Sequence, residues 1–323
     1  MIPYYKIEVE KKDKTKEFMI RASGITVVDQ DGFKSDSCEI TLQDKGDLEI
    51  PAMDTKVKLY LGLRGKGLTY MGSFLLVDPD LGPGYMKLKG KAAPIGKEFS
   101  SPREVSWDNK SFGEIAESIA KKHRLKAAVE QSLYDKKVES IIQTESDMSF
   151  LTKLGMQQNA TFKVQNGYLV FSSNESQESV FGKKLPVVTI ANPSSWNYKG
   201  ASSSEYTGVR AFYRCEGEQG KRESIQVGSA SNVFEMVQTW DSLSQAQERA
   251  KKRLKELQKN QVTLTISKSS DENFNSTHIA SGQTTIIKGV RKNVDGKWRV
   301  RKVSHSFTSD RLAMSAELEP LVT

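Results

Sequence analysis

The chain has 323 residues, 37% of them hydrophobic, and its 48 Lys and Arg against 40 Asp and Glu give a formal net charge of +8. That is apolar material for two or three ordinary cores, while the longest apolar runs, such as FLLV at 74–77, fall far short of the roughly 18–20 residues a membrane span needs. Charges interrupt the first 18 residues from Lys6 onward, so no signal peptide is expected and synthesis is placed in the cytoplasm. In the first third, apolar residues recur with period 2, the mark of half-buried strands. Tyr5, Ile7 and Val9 oppose Lys6, Glu8 and Glu10; Cys38, Ile40 and Leu42 form one face; Val57, Leu59 and Leu61 oppose Lys56, Lys58 and Tyr60. A glycine-rich connection over 62–70 leads into a strand at 71–77, then a turn, then a strand in which Met86 and Leu88 oppose Lys87 and Lys89. About five antiparallel strands without a helix predict a small barrel or sandwich over residues 1–98.

The texture changes near Pro102. Ser111 followed by Glu114 predicts a capping box, with Phe112, Ile115, Ile119 and Ala116 or Ala120 as the apolar stripe of a helix ending in Lys121, Lys122 and His123, where the helix dipole favours cations. Strands are expected in LKAAVE and from Val138 in VESIIQT. Ser146 or Asp147 caps a second helix with Phe150, Leu151 and Leu154 on its buried face and Asn159 as its stop. Phe162 and Val164 then alternate with Lys163, and Asn166 with Gly167 is a strong two-residue hairpin signal, because a type I′ turn needs positive φ twice. Residues 99–185 thus read as a compact α/β module followed by a polar linker.

From Pro186 strands resume as VVTI, TGVRAFYRC and ESIQVGS. One helix follows, capped by Ser242 and Gln245, with Leu243, Ala246, Ala250, Leu254 and Leu257 on one face. VTLTIS, TTIIKGV, KWRVRKVSHSF and RLAMSAELEPL close the chain as strands. The expected fold is mainly β with an α+β insertion: a β region over 1–98, a module over 99–185 and a second β region over 186–323. The two β regions are a candidate duplication without a residue-level repeat.

Chemistry is hard to find. Cys38 and Cys215 lie in separate strand-like runs without metal or redox spacing and read as free thiols. His123, His278 and His305 have no second histidine or cysteine at ligand spacing and read as structural. There is no G-x-S-x-G elbow, and Gly62, Gly65 and Gly67 lead into a strand rather than a phosphate-cradling helix. Paired carboxylates that converge only in space leave no mark in a sequence. No catalytic, cofactor-binding or metal-binding residue is assigned, and no cofactor is expected. Most of the positive excess is C-terminal, since residues 186–323 carry 20 basic and 14 acidic side chains. In the strand around Trp298, Lys297, Arg299 and Arg301 share one face and Trp298 and Val300 the other. A solvated basic face over a packed aromatic is expected there, without base stacking.

The succession GFKSDSCEITLQD, VKLYLGL, YMGSFLLVD, SFGEIAESIAKKHRL, QTESDMSFLTKLGMQQNATFKVQNGYLVF, GVRAFYR and VDGKWRVRKVSHSF resembles the late control protein D family of contractile-tailed phages over nearly the whole chain. Such proteins are similar to baseplate hubs and to the N-terminal half of type VI secretion spike proteins. The resemblance implies two tail-tube-like β-barrels per chain flanking an α/β insertion, and a homotrimer whose six barrels form a ring. It further implies the tail tube protein, a separate central spike protein and other baseplate proteins as partners, in a virion or tailocin tail baseplate. Because the catalytic and metal spacings above are missing, no enzymatic activity is expected. No oligonucleotide-binding fold, β-helix or lysozyme-like region follows the last strand, so the spike is expected on another chain. Two other readings are a DNA-binding late-gene regulator, which lacks a helix-turn-helix with a basic recognition helix, and a cell-wall hydrolase, which lacks the motifs above. Specific nucleic-acid binding is not expected.

Overall fold

A computed structural model describes residues 2–31, 36–92, 97–138, 140–158, 160–165, 167–173, 180, 186–200, 206–215, 221–259, 262–269 and 279–321. Strands far outnumber helices among the described residues, in line with the mainly β expectation. Two compact units emerge, one comprising Met1–Ser195 and Ile266–Ala316 and the other Trp196–Thr265 and Glu317–Thr323.

The first unit is built on one long sheet. Ala22–Gln30, Ser37–Gln43, Tyr85–Lys91, Gly67–Leu76, Lys56–Leu63 and Pro3–Val9 lie side by side in that order, and every neighbouring pair is antiparallel. The period-2 pattern is the cause: Ile7, Ile25, Ile40, Leu59, Leu61 and Phe74 all turn to one side and are fully enclosed. Burying each such side chain is worth about 1.5–3 kcal/mol. Phe307 and Leu312, from the far end of the chain, complete this core. They arrive because residues 302–308 of Gly296–Thr308 pair antiparallel with residues 24–30. The other end of that strand pairs with Thr284–Lys288, which runs parallel to Val188–Ala191.

One correction concerns the first third, read as free of helix. Thr15–Met19 forms a short one, anchored by Thr15, whose Oγ1 accepts the Ile7 amide at 3.0 Å while its own amide donates to Asp13 Oδ1 at 2.9 Å. Five residues are too few to show a helical period.

The inserted module of the same unit has its own core, in which Phe112, Ile115, Ile119, Leu151, Leu169 and Phe171 are completely buried. Phe112–Lys122 begins with the expected capping box: Glu114 N donates to Ser111 Oγ at 3.2 Å and Ser111 N to Glu114 Oε2 at 2.7 Å. Asp147–Gln157 is capped by Ser146, which accepts from the Ser149 amide. It ends with Gln158 as its cap, while Asn159, expected as its stop, lies outside the described residues. Ala160–Gln165 and Tyr168–Ser173 pair with Gln165 opposite Tyr168, which leaves a two-residue connection. Gly167 has φ +81°, the left-handed conformation a primed turn demands; Asn166 lies outside the described residues. Lys126–Val129 completes the sheet in parallel with Tyr168–Ser173.

In the second unit, Gly208–Arg214 lies between Arg222–Gly228, antiparallel to it, and Val233–Trp240, parallel to it. The helix Leu243–Lys259 covers one face through Ala246, Ala250 and Leu254, packed on Val209, Ala211 and Trp240. Ser242 Oγ accepts the Gln245 amide at 3.3 Å, as expected of the cap. Leu243, placed on the apolar stripe by its spacing, is instead 46% exposed in the first turn. Val233–Trp240 was not legible as a strand, because it lacks a clean alternation of buried and exposed residues and carries the almost fully exposed Val237.

Candidate functional site: two buried ionic clusters

Asp147 sits at the first position of its helix and has no solvent exposure. Four donors surround it: Arg103 Nε at 2.6 Å, His123 Nε2 at 2.8 Å, Lys122 Nζ at 3.1 Å and the Gln143 side-chain amide at 2.8 Å. Gln143 is held in turn, since its Oε1 accepts Trp107 Nε1 at 3.0 Å. Burial by itself would raise the Asp147 pKa, but the hydrogen bonds from Gln143, His123, Arg103 and Lys122 outweigh it and hold the carboxyl down to about 2. The carboxylate also lies where the positive end of its own helix meets the negative end of Phe112–Lys122, whose cap is His123. Asp147 thereby fastens the start of its own helix to the end of Phe112–Lys122. His123 packs edge-on against Phe99, ring centroids 4.5 Å apart. It is a satisfied structural histidine, as expected; that Asp147 rather than Ser146 would gather the cations was not visible.

The second cluster joins the module to the long sheet. Lys163, on Ala160–Gln165, places Nζ 2.6 Å from Asp29 Oδ1 and 3.5 Å from Asp36 Oδ1, and it donates to Ser281 Oγ. Ser281 returns two bonds to Asp29, from its amide at 2.8 Å and from Oγ at 2.5 Å. Burial would raise the Asp29 pKa, yet Lys163 and Ser281 together hold it down to about 2. Asp36 goes the other way: burial and the neighbouring Asp29 carboxyl push it up to about 7 against the pull of Lys163. Lys163 keeps a raised pKa although burial would lower it, because Asp29, Asp36 and then Asp31 hold its charge. Behind them Asp31 forms an ion pair with Arg299, both nearly enclosed.

Arg299 therefore corrects one expectation. It does not share a solvated face with Lys297 and Arg301, which are exposed; it turns inward to Asp31. Trp298 is buried as expected, its Nε1 donating to Val294 O at 2.8 Å. His305 is buried with Nε2 3.3 Å from Ile279 O, and His278 lies outside the described residues. Cys38 is buried, which pushes its thiol up to about 12, and Cys215 is half-buried; both are free thiols. Gly65 and Gly67 shape the hairpin connection between two sheet strands, each with positive φ. Among the described residues no three His, Cys, Asp or Glu side chains form a metal-binding group, and no helix is long and apolar enough to cross a membrane.

The same fold is found in solved tail proteins. A tail protein from Neisseria meningitidis MC58 superposes with a TM-score of 0.73 at 13% identity, covering 99% of this chain and 97% of that one. A component of the Escherichia coli type VI secretion system, itself similar in structure to the T4 tail proteins gp27 and gp5, superposes at 0.57 with 11% identity, over 94% of this chain and 74% of that one. These identities speak to the fold alone. By sequence the chain is 25% identical over 368 residues to the probable baseplate hub protein of Escherichia phage 186, covering 99% of this chain and 93% of that protein. No family model matches the chain. The resemblance to baseplate hubs carried by the sequence segments is borne out by these relatives.

Proposed function

We infer that the chain is a structural baseplate hub of a contractile tail or tailocin. The observation that carries this is end-to-end similarity to a hub protein, 99% of this chain against 93% of the phage 186 protein. The role is assembly, and no hydrolytic step belongs to it. Three copies form a ring, with the tail tube on one face, a trimeric spike on the other and further baseplate proteins around it; the chain is made in the bacterial cytoplasm and ends in the tail. Within each copy, residues 1–98 and 186–323 supply two tube-like surfaces and residues 99–185 act as the connector that spaces them. The antiparallel pairing of residues 302–308 with residues 24–30 supports this reading. It runs one β region into the next through main-chain hydrogen bonds.

The DNA-binding reading loses its best residues, because Trp298 is buried and Arg299 is paired with Asp31. Electron microscopy of the purified chain mixed with its tube or spike protein tests the hub: threefold particles with six similar β units around the axis are expected. A chain that stays monomeric beside both partners, or a threefold ring without sixfold pseudosymmetry, overturns the adaptor mechanism.

A further inference from the structure

One face of the long sheet is closed by its core, and no described helix packs on the other face of Ser37–Gln43, Tyr85–Lys91 and Lys56–Leu63. The alternation that buries Met86 and Leu88 sends Lys87, Lys89 and Lys91 to that open face, and the one that buries Val57 and Leu59 sends Lys56 and Lys58 there. Lys6 joins them from Pro3–Val9. Neighbouring lysines of Tyr85–Lys91 stand about 6.5–7 Å apart along the strand. Lys56 and Lys91 flank Leu75 in register across three strands, about 9–10 Å apart. Against these, the same face of Pro3–Val9 and Ser37–Gln43 offers Glu8 and Glu39. Glu8 is taken up by Lys6 at 2.7 Å and Lys58 at 3.9 Å, and Asp80 by Lys89 at 3.5 Å. Lys56, Lys87 and Lys91 make no ion pair with a described residue. Residues 32–35 and 93–96, next to these strands in the sequence, contain no Asp or Glu.

Lysines often guard the edges of a sheet against unwanted pairing, but Tyr85–Lys91 and Lys56–Leu63 each have a strand on both sides. A face kept merely soluble mixes both signs, whereas here like charges stand side by side at a cost to the fold. We propose that this face of the long sheet is a docking surface for an acidic protein, whose carboxylates supply the charge that Lys56, Lys87 and Lys91 lack. Opposite charge brought over them steers the partner in and fixes its register. Nucleic acid fits less well, because the face carries no arginine to fork onto phosphates or stack on bases, and because Glu8 and Glu39 stand among its lysines. Leu75, half-buried between Lys56 and Lys91, adds an apolar contact that suits a protein surface.

Fluorescently labelled poly-L-glutamate, titrated against the full-length protein, tests the surface. Replacing Lys56, Lys87 and Lys91 together by Gln is expected to weaken binding about tenfold at low salt. The same change at Lys121, Lys136 and Lys292, exposed lysines elsewhere on the chain, alters net charge equally and should weaken it less than about twofold. Binding should fade between about 0.1 and 1 M salt, as the Debye length contracts from about 10 to 3 Å. In the unmutated protein, poly-L-glutamate should slow acetylation of Lys56, Lys87 and Lys91 more than that of Lys121, Lys136 and Lys292, which decides the matter even where a variant fails to fold. Equal losses from the two triple variants, uniform protection of all six lysines, or tighter binding of duplex DNA through Lys56, Lys87 and Lys91 each overturn the proposal. Neither tube nor spike takes part in this measurement, so its failure leaves the hub reading standing.

Discussion

Asp147 and Asp36 are both buried carboxylates of the same compact unit, yet their surroundings give them opposite character. Asp147 has Arg103, Lys122 and His123 around it as well as the Gln143 amide, so its ionised form is overdetermined. Asp36 shares Lys163 with Asp29, and burial together with the Asp29 carboxyl favours its neutral form. The lesson is that burial by itself does not set the charge of a carboxylate; the ratio of donors to carboxylates does. The cluster inside the module is a permanent fastening. In the one between module and sheet, burial and the neighbouring Asp29 carboxyl push Asp36 up to about 7.

The strongest contrast comes from Lys163→Met, which removes the ammonium bound to Asp29 and Asp36 and should destabilise the protein by about 3–5 kcal/mol at pH 8. Urea denaturation should show a smaller loss at pH 5, where Asp36 is protonated; an equal loss at both values would erase the difference between the clusters. Asp147→Asn should cost less, about 2–3 kcal/mol, because Arg103 and Lys122 are partly exposed and can turn to water. Its pH dependence has the opposite sign from that of Asp36. A carboxyl depressed to about 2 in the fold contributes stability that is present above roughly 4 and lost as pH falls from there towards 2. The gap between wild type and Asp147→Asn should thus close only in acid, and a gap that changes between pH 5 and 8 would contradict the assignment.

Gly167→Val tests the hairpin that carries Lys163, and its strained positive φ should cost about 1 kcal/mol or slightly more. Calorimetry should find that cost independent of pH between 5 and 8, which separates backbone strain from the ionic effects. The smallest change is expected at Tyr5, whose buried hydroxyl finds no hydrogen-bond partner among the described residues and whose pKa burial pushes up to about 12. Tyr5→Phe should stabilise by about 0.5–1 kcal/mol. A loss of stability there would reveal a partner for the hydroxyl.

Features decided by residues close together along the chain are legible before any fold is known. Ser111 and Glu114 are three apart, the turn at Gly167 is two residues long, and Tyr5, Ile7 and Val9 need only alternate to mark a strand. Each of these is a local balance of backbone hydrogen bonds and periodicity, which neighbouring residues alone can set. Tertiary structure alone decided that residues 302–308 would join the sheet of the first third, that Arg299 would turn inward, and that Val233–Trp240 would pair in parallel with Gly208–Arg214. It also made both ionic clusters. Arg103 lies 44 positions from Asp147, Lys163 lies 134 from Asp29 and 118 from Ser281, and in an unfolded chain each of these groups is simply hydrated. Only when the fold strips that water away must each charge find its partner across the chain, and that pairing has no local signature.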